Sequence, residues 1–418
     1  MTWDNGDAGG RNGAMTTFGQ KMLQLMSEQD LSLRRLAQIA YIDKGLLSKV
    51  SRGIRPPSED VAKRLDEVLK ANGELKALRS TRKRDKPSRA STPTADAIAP
   101  LELVGSLALP DRNGQPVNAD FVNVIRETNQ GLVKLDSMWG GHEVFPLALR
   151  VFKAANHKLG IGAYEPGIER DLMAATGETG EIAAWLAYDA DRQSESRQIV
   201  HEALMLSRQA GDRDMELFEL THLAMQSLHL ERPAEALRVA TGALEQDLPP
   251  RVAALFEIRH GRALAQLADE TGAFRALDRA KNVLSESISL RDPHWTWWIN
   301  ETELARHKAT AYHQIGRSEK AVPLFEQVVE ACRGRYLYGK LDLAQLLNAL
   351  VHVGDWRRAE EIIGEIAALV DVVSAGRSAS FLRKTFDEIR ESQGVPSTVA
   401  DIAFELGKIL SAEKDGPR

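Results

Sequence analysis

Residues 32–58 read Ser32-Leu-Arg-Arg-Leu-Ala-Gln-Ile-Ala40, Tyr41-Ile42, Asp43-Lys-Gly-Leu-Leu-Ser-Lys-Val-Ser-Arg52 and Gly53-Ile-Arg-Pro-Pro-Ser58. Ser32 suits an N-cap, because its hydroxyl can accept an otherwise orphaned amide proton, and Leu33, Leu36 and Ala37 then share one helix face. A turn at Tyr41-Ile42 follows. Asp43 caps a second helix, Leu47 and Val50 face inward, and Gly53 ends it. Amphipathic stretches at residues 18–27 and 58–71 close a small core around this pair. Two short helices joined by a tight turn, the second presenting polar residues at its amino end, is the geometry that offers a helix to a DNA major groove.

Charge around the pair agrees with that use. Residues 16–90 hold 17 Lys and Arg against 9 Asp and Glu, a net of +8 within a chain of net −5, so the remainder carries −13. A basic head on an acidic body is the footprint of a chain that meets polyanion at one end, although a solvated charged surface gives the same composition. Residues 1–15, rich in Gly and polar side chains, read as a flexible tail, and residues 79–100, Arg-Lys-Arg followed by Ser, Pro, Thr and Ala, read as a linker. The first domain is therefore expected at 16–78.

Leu-Arg-Arg-Leu-Ala, Leu-Ser-Lys-Val-Ser-Arg-Gly and Arg55-Pro-Pro-Ser58 together resemble the phage-repressor-type helix-turn-helix of the XRE family, over roughly residues 17–78. The family often carries Glu where Ser51 stands. The resemblance implies that bases are read by Lys44, Gly45, Ser48 and Lys49. Lysine can donate to guanine O6 and N7, serine is indiscriminate, and Gly45 allows close approach. Arg34, Arg35, Arg52 and Arg55 are placed for phosphates, which fix position without specifying sequence. Each has a solvated surface as its alternative role. One such domain buries too little to select a genomic site, so a homodimer on two half-sites is implied. The helix expected over Ala119 to Trp139 and the terminal helices are candidates for its interface.

From residue 101 onward apolar residues recur at three- and four-residue steps, with no alternating strand pattern, so the expected fold class is all-α throughout. Residues 101–180 read as a helical connecting region, 181–410 as a repeat domain and 411–418 as a tail. A short turn followed by an Ala-centred helix recurs at Glu231–Ala236, Thr271–Ala276, Gly316–Ala321 and Gly354–Ala359, with a weaker copy at Asp191–Ser196. The last residues of these copies are 40, 40, 45 and 38 positions apart. Hairpins that cannot bury their apolar faces alone must stack, giving a solenoid with a concave inner surface. The signature loosely resembles tetratricopeptide repeats, with a longer period; a non-repetitive helical bundle is the alternative.

In His294-Trp-Thr-Trp-Trp-Ile-Asn-Glu-Thr-Glu303, helical spacing puts Trp295, Trp298 and Thr302 on one stripe and Trp297 and Glu301 on another. The tryptophans either fill core between hairpins or line the groove, where Trp295, Trp298, Asn300 and Glu301 would hold a peptide. The whole layout resembles the multidomain helix-turn-helix regulators common in actinomycetes, which Gly140-Gly-His-Glu-Val-Phe-Pro-Leu-Ala-Leu149 and Ala184-Trp-Leu-Ala-Tyr-Asp189 also match. It resembles, more distantly, the Gram-positive peptide-pheromone receptors (RRNPP).

Other chemistries lack support. Gly334-Arg-Tyr-Leu-Tyr-Gly-Lys-Leu341 has the glycine and lysine of a phosphate-binding loop, but Leu341 cannot ligate Mg²⁺ and no strand precedes it. The ten histidines and the single Cys332 form no metal-ligand spacing, no nucleophile-and-base arrangement is recognisable, and Asn300-Glu-Thr302 is a sequon of no consequence inside a cell. No cofactor, metal or enzymatic activity is expected. With no apolar run of membrane length and no secretory layout, the expected location is cytoplasmic, at the nucleoid when DNA is bound. The expectation is a transcription regulator, more often a repressor, whose repeats dimerise or sense a peptide, small molecule or protein. The alternative is an interaction scaffold tethered to DNA by its head.

Overall fold

The computed structural model describes residues 18, 21–22, 25–26, 29, 31, 36, 40, 47, 50–51, 57, 59–71, 73–76, 116–285, 289, 291–332, 339–369 and 376–412. Regular structure among them is helical, with a single isolated bridge between Val117 and Tyr164 and no strand. The fold class is all-α. The chain divides into two compact units, Met1–Thr94 and Ala95–Arg418.

In the first unit one buried cluster joins Met22, Leu25, Met26, Leu36, Ala40, Leu47, Val50, Leu65, Leu69, Ala71 and Leu75. Leu36 and Ala40, then Leu47 and Val50, are spaced by four and three residues, the interval that returns a side chain to the same helix face. Helix α1 (Glu59–Val68) supplies Leu65 and is closed by its own Asp66. That carboxylate is buried and accepts from the amides of Gly73 at 2.8 Å and Leu75 at 3.0 Å. Gln29 donates to the carbonyl of Leu69 at 2.7 Å, tying an early residue to the end of the unit.

The second unit begins with α2 (Ala119–Trp139) and α3 (Gly141–Gly160) and continues as helix pairs. These are α4 (Glu169–Asp189) with α5 (Gln193–Ala210), α6 (Arg213–His229) with α7 (Pro233–Leu244), and α8 (Pro250–Gln266) with α9 (Glu270–Ser285). After a 3-10 turn at His294–Trp298 come α10 (Glu301–Gln314) with α11 (Ser318–Cys332), α12 (Gly339–Val353) with α13 (Trp356–Ala367), and α14 (Gly376–Glu391) with α15 (Ser397–Ala412).

Five of these pairs share one turn. Asp191, Glu231, Ala268, Gly316 and Gly354 all take a positive φ. The next residue in each case (Arg192, Arg232, Asp269, Arg317, Asp355) donates its amide to a carbonyl five positions back. This is the left-handed helix stop, normally a glycine position. Three of the five are not glycine, so packing of the flanking helices holds a conformation that local preference resists. Five residues beyond each turn lie Ser196, Ala236, Ala273, Ala321 and Ala359, all fully buried. A small side chain there lets the second helix lie close on the first. The third copy therefore has its register at Ala273, not at Ala276, where the composition of 271–276 puts it. The two alanines are one turn apart on one face and both are fully buried, so the pattern of residue types could not separate them.

Within the second unit each helix from α2 to α12 packs on the next, α13 packs on α12 and α15, and the first helices of successive pairs also pack on one another. The chain α4, α6, α8, α10, α12 and α14 is closed by α14 packing back on α4, so these six first helices form a cycle. Three large clusters fill the unit. One surrounds Phe145, Phe152 and Leu186, a second Phe256, Leu255 and Trp295, and a third Phe325, Leu347 and Phe386. The closing seam is polar and close. Arg377 donates to Asp189 at 3.4 Å and lies over the Tyr188 ring at 4.5 Å, and Ser380 donates to Asp191. Gly376 has a φ of 77°, and a Cβ there would stand 2.5 Å from the carbonyl oxygen of Asp189. Gly376→Ala is therefore expected to cost about 1–3 kcal/mol through strain and clash. The loss should show as faster amide exchange at 188–191 and 376–383 while the core of α8 keeps its protection.

Candidate functional site

The eight residues expected at DNA, Lys44, Gly45, Ser48, Lys49, Arg34, Arg35, Arg52 and Arg55, lie outside the described residues. Their neighbours Leu36, Ala40, Leu47 and Val50 are helical and buried, and Ser51 is helical and half-buried.

The aromatic segment takes a different form from a continuous stripe. Residues 294–298 make a 3-10 turn led by Pro293, and α10 starts afresh at Glu301 behind an extended Asn300. The side chain of Asn300 accepts from the Glu303 amide at 3.1 Å, so its oxygen is spent as an N-cap. Trp295 is buried, stacked on Phe218 at 4.5 Å, and its indole N–H donates to the carbonyl of Asp214 at 3.2 Å. Trp298 is half-buried against the same cluster, while Trp297, Asn300 and Glu301 are exposed. The fresh start at Asn300 rules out a stripe running from Trp295 to Thr302. Trp295 and Trp298 are brought together with core, and Asn300 and Glu301 are not.

The concentration of buried polar groups lies instead on the cycle of first helices. On α8, Arg259 and Arg262 are one turn apart, and on α10, Glu303, Arg306 and His307 occupy adjacent turns, so each set shares a helix face. Arg306 forms a bidentate pair with the almost wholly buried Asp342 of α12, Nε to Oδ1 at 2.6 Å and Nη2 to Oδ2 at 2.9 Å, and also pairs with Glu303. His307 is the hub. Its Nε2 is 3.0 Å from Glu303 Oε1 and 3.1 Å from Arg259 Nη1, and its Nδ1 is 2.9 Å from Arg262 Nη1.

One imidazole cannot satisfy all three neighbours. With the proton on Nε2, the ring donates to Glu303 and accepts from Arg262 at Nδ1; the other tautomer would set Nε2 against the carboxylate lone pairs and Nδ1–H against a guanidinium donor. In the favoured tautomer Arg259 Nη1 meets a nitrogen that already carries its proton. The Nε–H of Arg259 also finds no protein acceptor.

Electrostatics follow from this crowding. Burial, reinforced by the cations of Arg259 and Arg262, pushes His307 down to about 4, so the ring is neutral at physiological pH. Burial alone would raise Glu303, but the His307 hydrogen bond, the charge that His307 gains in acid, and the charges of Arg306 and Arg259 outweigh it and hold the carboxyl at about 2. Burial lowers Arg259, and burial with repulsion from Arg259 brings Arg262 down to about 10. Tyr188, from across the cycle, lies within electrostatic reach of both arginines and of Arg377.

A second buried polar group joins α4, α5 and α6. Glu219 accepts from Ser207 Oγ at 2.7 Å, its other oxygen has no partner, and burial carries its carboxyl up to about 9, with Glu181, Asp212 and Glu216 adding to the rise. His222 Nδ1 is 3.2 Å from Glu181 Oε1. Among the described residues no three His, Cys, Asp or Glu side chains are grouped to hold a metal ion.

Arg259 and His307 are 48 positions apart, in helices whose facing depends on the stacking of two pairs. The one signal in the sequence was local: charged residues at Arg259-His-Gly-Arg262 and at Glu303, Arg306 and His307 recur at helical spacing. No protein-family model matches the chain, and comparison with curated proteins finds no match either.

Proposed function

We propose that the chain is a sequence-specific DNA-binding transcription regulator acting as a repressor. In this reading the first unit is an XRE-type helix-turn-helix head, and the second is a tetratricopeptide-like solenoid that dimerises or senses a ligand. The observation that carries the reading is the motif at residues 32–58. Its expected inward positions Leu36, Leu47 and Val50 belong to one buried cluster with Met22, Leu65 and Leu69. The repeat assignment is supported by the turn shared by five helix pairs and by the buried small residue that follows each one. On this reading Lys44, Ser48 and Lys49 read bases from the major groove, while Arg34, Arg35, Arg52 and Arg55 hold phosphates.

Genome-wide mapping of bound DNA, followed by mobility-shift titration on the recovered site, tests the proposal. Lys49→Ala is expected to weaken binding to the preferred site by about 1–3 kcal/mol and leave nonspecific DNA nearly unaffected. Affinity should fall steeply with added salt, as counterion release requires. Equal weakening on every sequence would remove Lys49 from base reading, and an absence of any recovered site would end the proposal. A ligand that changes operator affinity favours the sensing regulator over a scaffold merely tethered to DNA, since only differential binding to two states can shift them.

A further inference from the structure

Arg259 stands out among the buried charges of the second unit because its burial is only partly compensated, by the nearby charge of Glu303. It is 3% exposed, its Nε–H has no protein acceptor, and its Nη1 stands 3.1 Å from a His307 nitrogen that carries its own proton in the favoured tautomer. Across the shared network three guanidinium groups (Arg259, Arg262 and Arg306) face two carboxylates (Glu303 and Asp342), and His307 adds no charge. Arg306 is saturated by those two acids. One positive charge is left on the Arg259–Arg262 pair. An unpaired buried guanidinium is costly, and an anion bound beside it would offset that cost.

Geometry says which anion. Arg259 and Arg262 approach different nitrogens of one imidazole, at 3.1 and 2.9 Å, and Arg262 Nε donates to Gln314 at 3.1 Å, which leaves the buried Nε–H of Arg259 as the donor without an acceptor. A guanidinium fork suits a planar or tetrahedral oxyanion. Glu303 and His307 keep 15% and 12% of their side-chain surface exposed, so solvent reaches the network. The recognition element is the charge of the two guanidinium groups.

We propose that Arg259 and Arg262 form the seat for the oxyanion of a ligand, a carboxylate or a phosphate, held on the inner cycle of helices. The inference names the ligand class for the sensing part of the function proposed above and rests on that reading only for its regulatory consequence. Occupancy neutralises the excess charge on α8 without any covalent step.

The test is calorimetric titration and thermal shift of the full chain, free of DNA. The probes are inorganic phosphate, citrate, and a pentapeptide library supplied with either free or amidated C-termini. At least one oxyanion probe is expected to bind saturably and raise Tm by about 2 °C or more at a hundredfold excess over Kd. Citrate or free C-termini would identify a carboxylate, and inorganic phosphate a phosphate ligand. Arg262→Gln should weaken that binding at least about tenfold, and Arg262→Lys less, since charge is kept but the fork is lost. Arg259→Met should abolish the shift while melting no lower than wild type without the probe, because it removes a buried charge that is only partly compensated. Absence of binding by every probe overturns the inference, as does undiminished binding in a folded Arg262→Gln or a marked destabilisation by Arg259→Met alone. Operator affinity, measured in parallel on the same samples, reports on the regulator reading separately: failure there leaves the seat standing, and failure of the seat leaves DNA binding untouched.

Discussion

Glu219→Gln is expected to match the wild type in stability at pH 5 and to exceed it by about 3 kcal/mol at pH 7, with the gap still widening toward pH 9. Burial holds the Glu219 carboxyl protonated up to about 9, whereas in the unfolded chain it ionises near 4.5. Between those values the folded state binds the proton more tightly, so the stability contributed by this group is complete below the unfolded value and is lost as pH rises. Glutamine carries no such proton and can still accept from Ser207. The groups around it are Ser207, Glu181, Asp212 and Glu216, with His222 paired to Glu181. Glu303 and Asp191, both held at about 2, act in the opposite sense and lose their contribution only in strong acid. The informative quantity is therefore the difference between variant and wild type in urea midpoint across pH 5–9. A constant difference would mean that Glu219 is already ionised in the fold.

Asp342→Ala is the other large effect. The carboxylate is 1% exposed and holds Arg306 through two bonds, so its loss strands a guanidinium with Glu303 as its remaining acidic partner. Breaking a buried pair by removing one member costs about 3–5 kcal/mol, because the surviving charge keeps its desolvation penalty. A fall in Tm of about 10 °C is expected, read by far-UV circular dichroism. The double variant Arg306→Met, Asp342→Leu should recover most of that loss, since an apolar pair of similar volume carries no desolvation penalty. If the double variant is as unstable as the single one, the pair serves packing rather than charge compensation.

The two substitutions test different parts of one design. Glu219 sits where the first helix pairs meet, and its burial is paid in protonation. Asp342 sits where α10 meets α12 and keeps the network beneath Arg259 and Arg262 in place. Loss of Asp342 should therefore also disturb His307 and weaken any ligand held by the arginine pair, whereas Glu219→Gln should not.

Local features of the fold were readable from residue order because they arise within a few residues of one another. The three- and four-residue recurrence of Leu and Ala marks helices, and a turn followed five residues later by a small residue marks the start of the second helix of a pair. Where local cues were degenerate the reading slipped by one turn, as at Ala273 and Ala276, because both alanines satisfy the same face. It also ran a helical stripe through Asn300, where the polar side chain instead caps a new helix.

The polar network had no such local origin. Arg259, His307 and Asp342 come from three helix pairs, and Tyr188 meets Arg377 across 189 positions of chain. Residue order alone determined that this protein is helical and where four of the five shared turns lie, since hydrogen bonding and side-chain period act over one or two turns. Which charges meet was decided only when the helix pairs stacked and α14 closed on α4, because long-range electrostatics depends on the distances that packing creates.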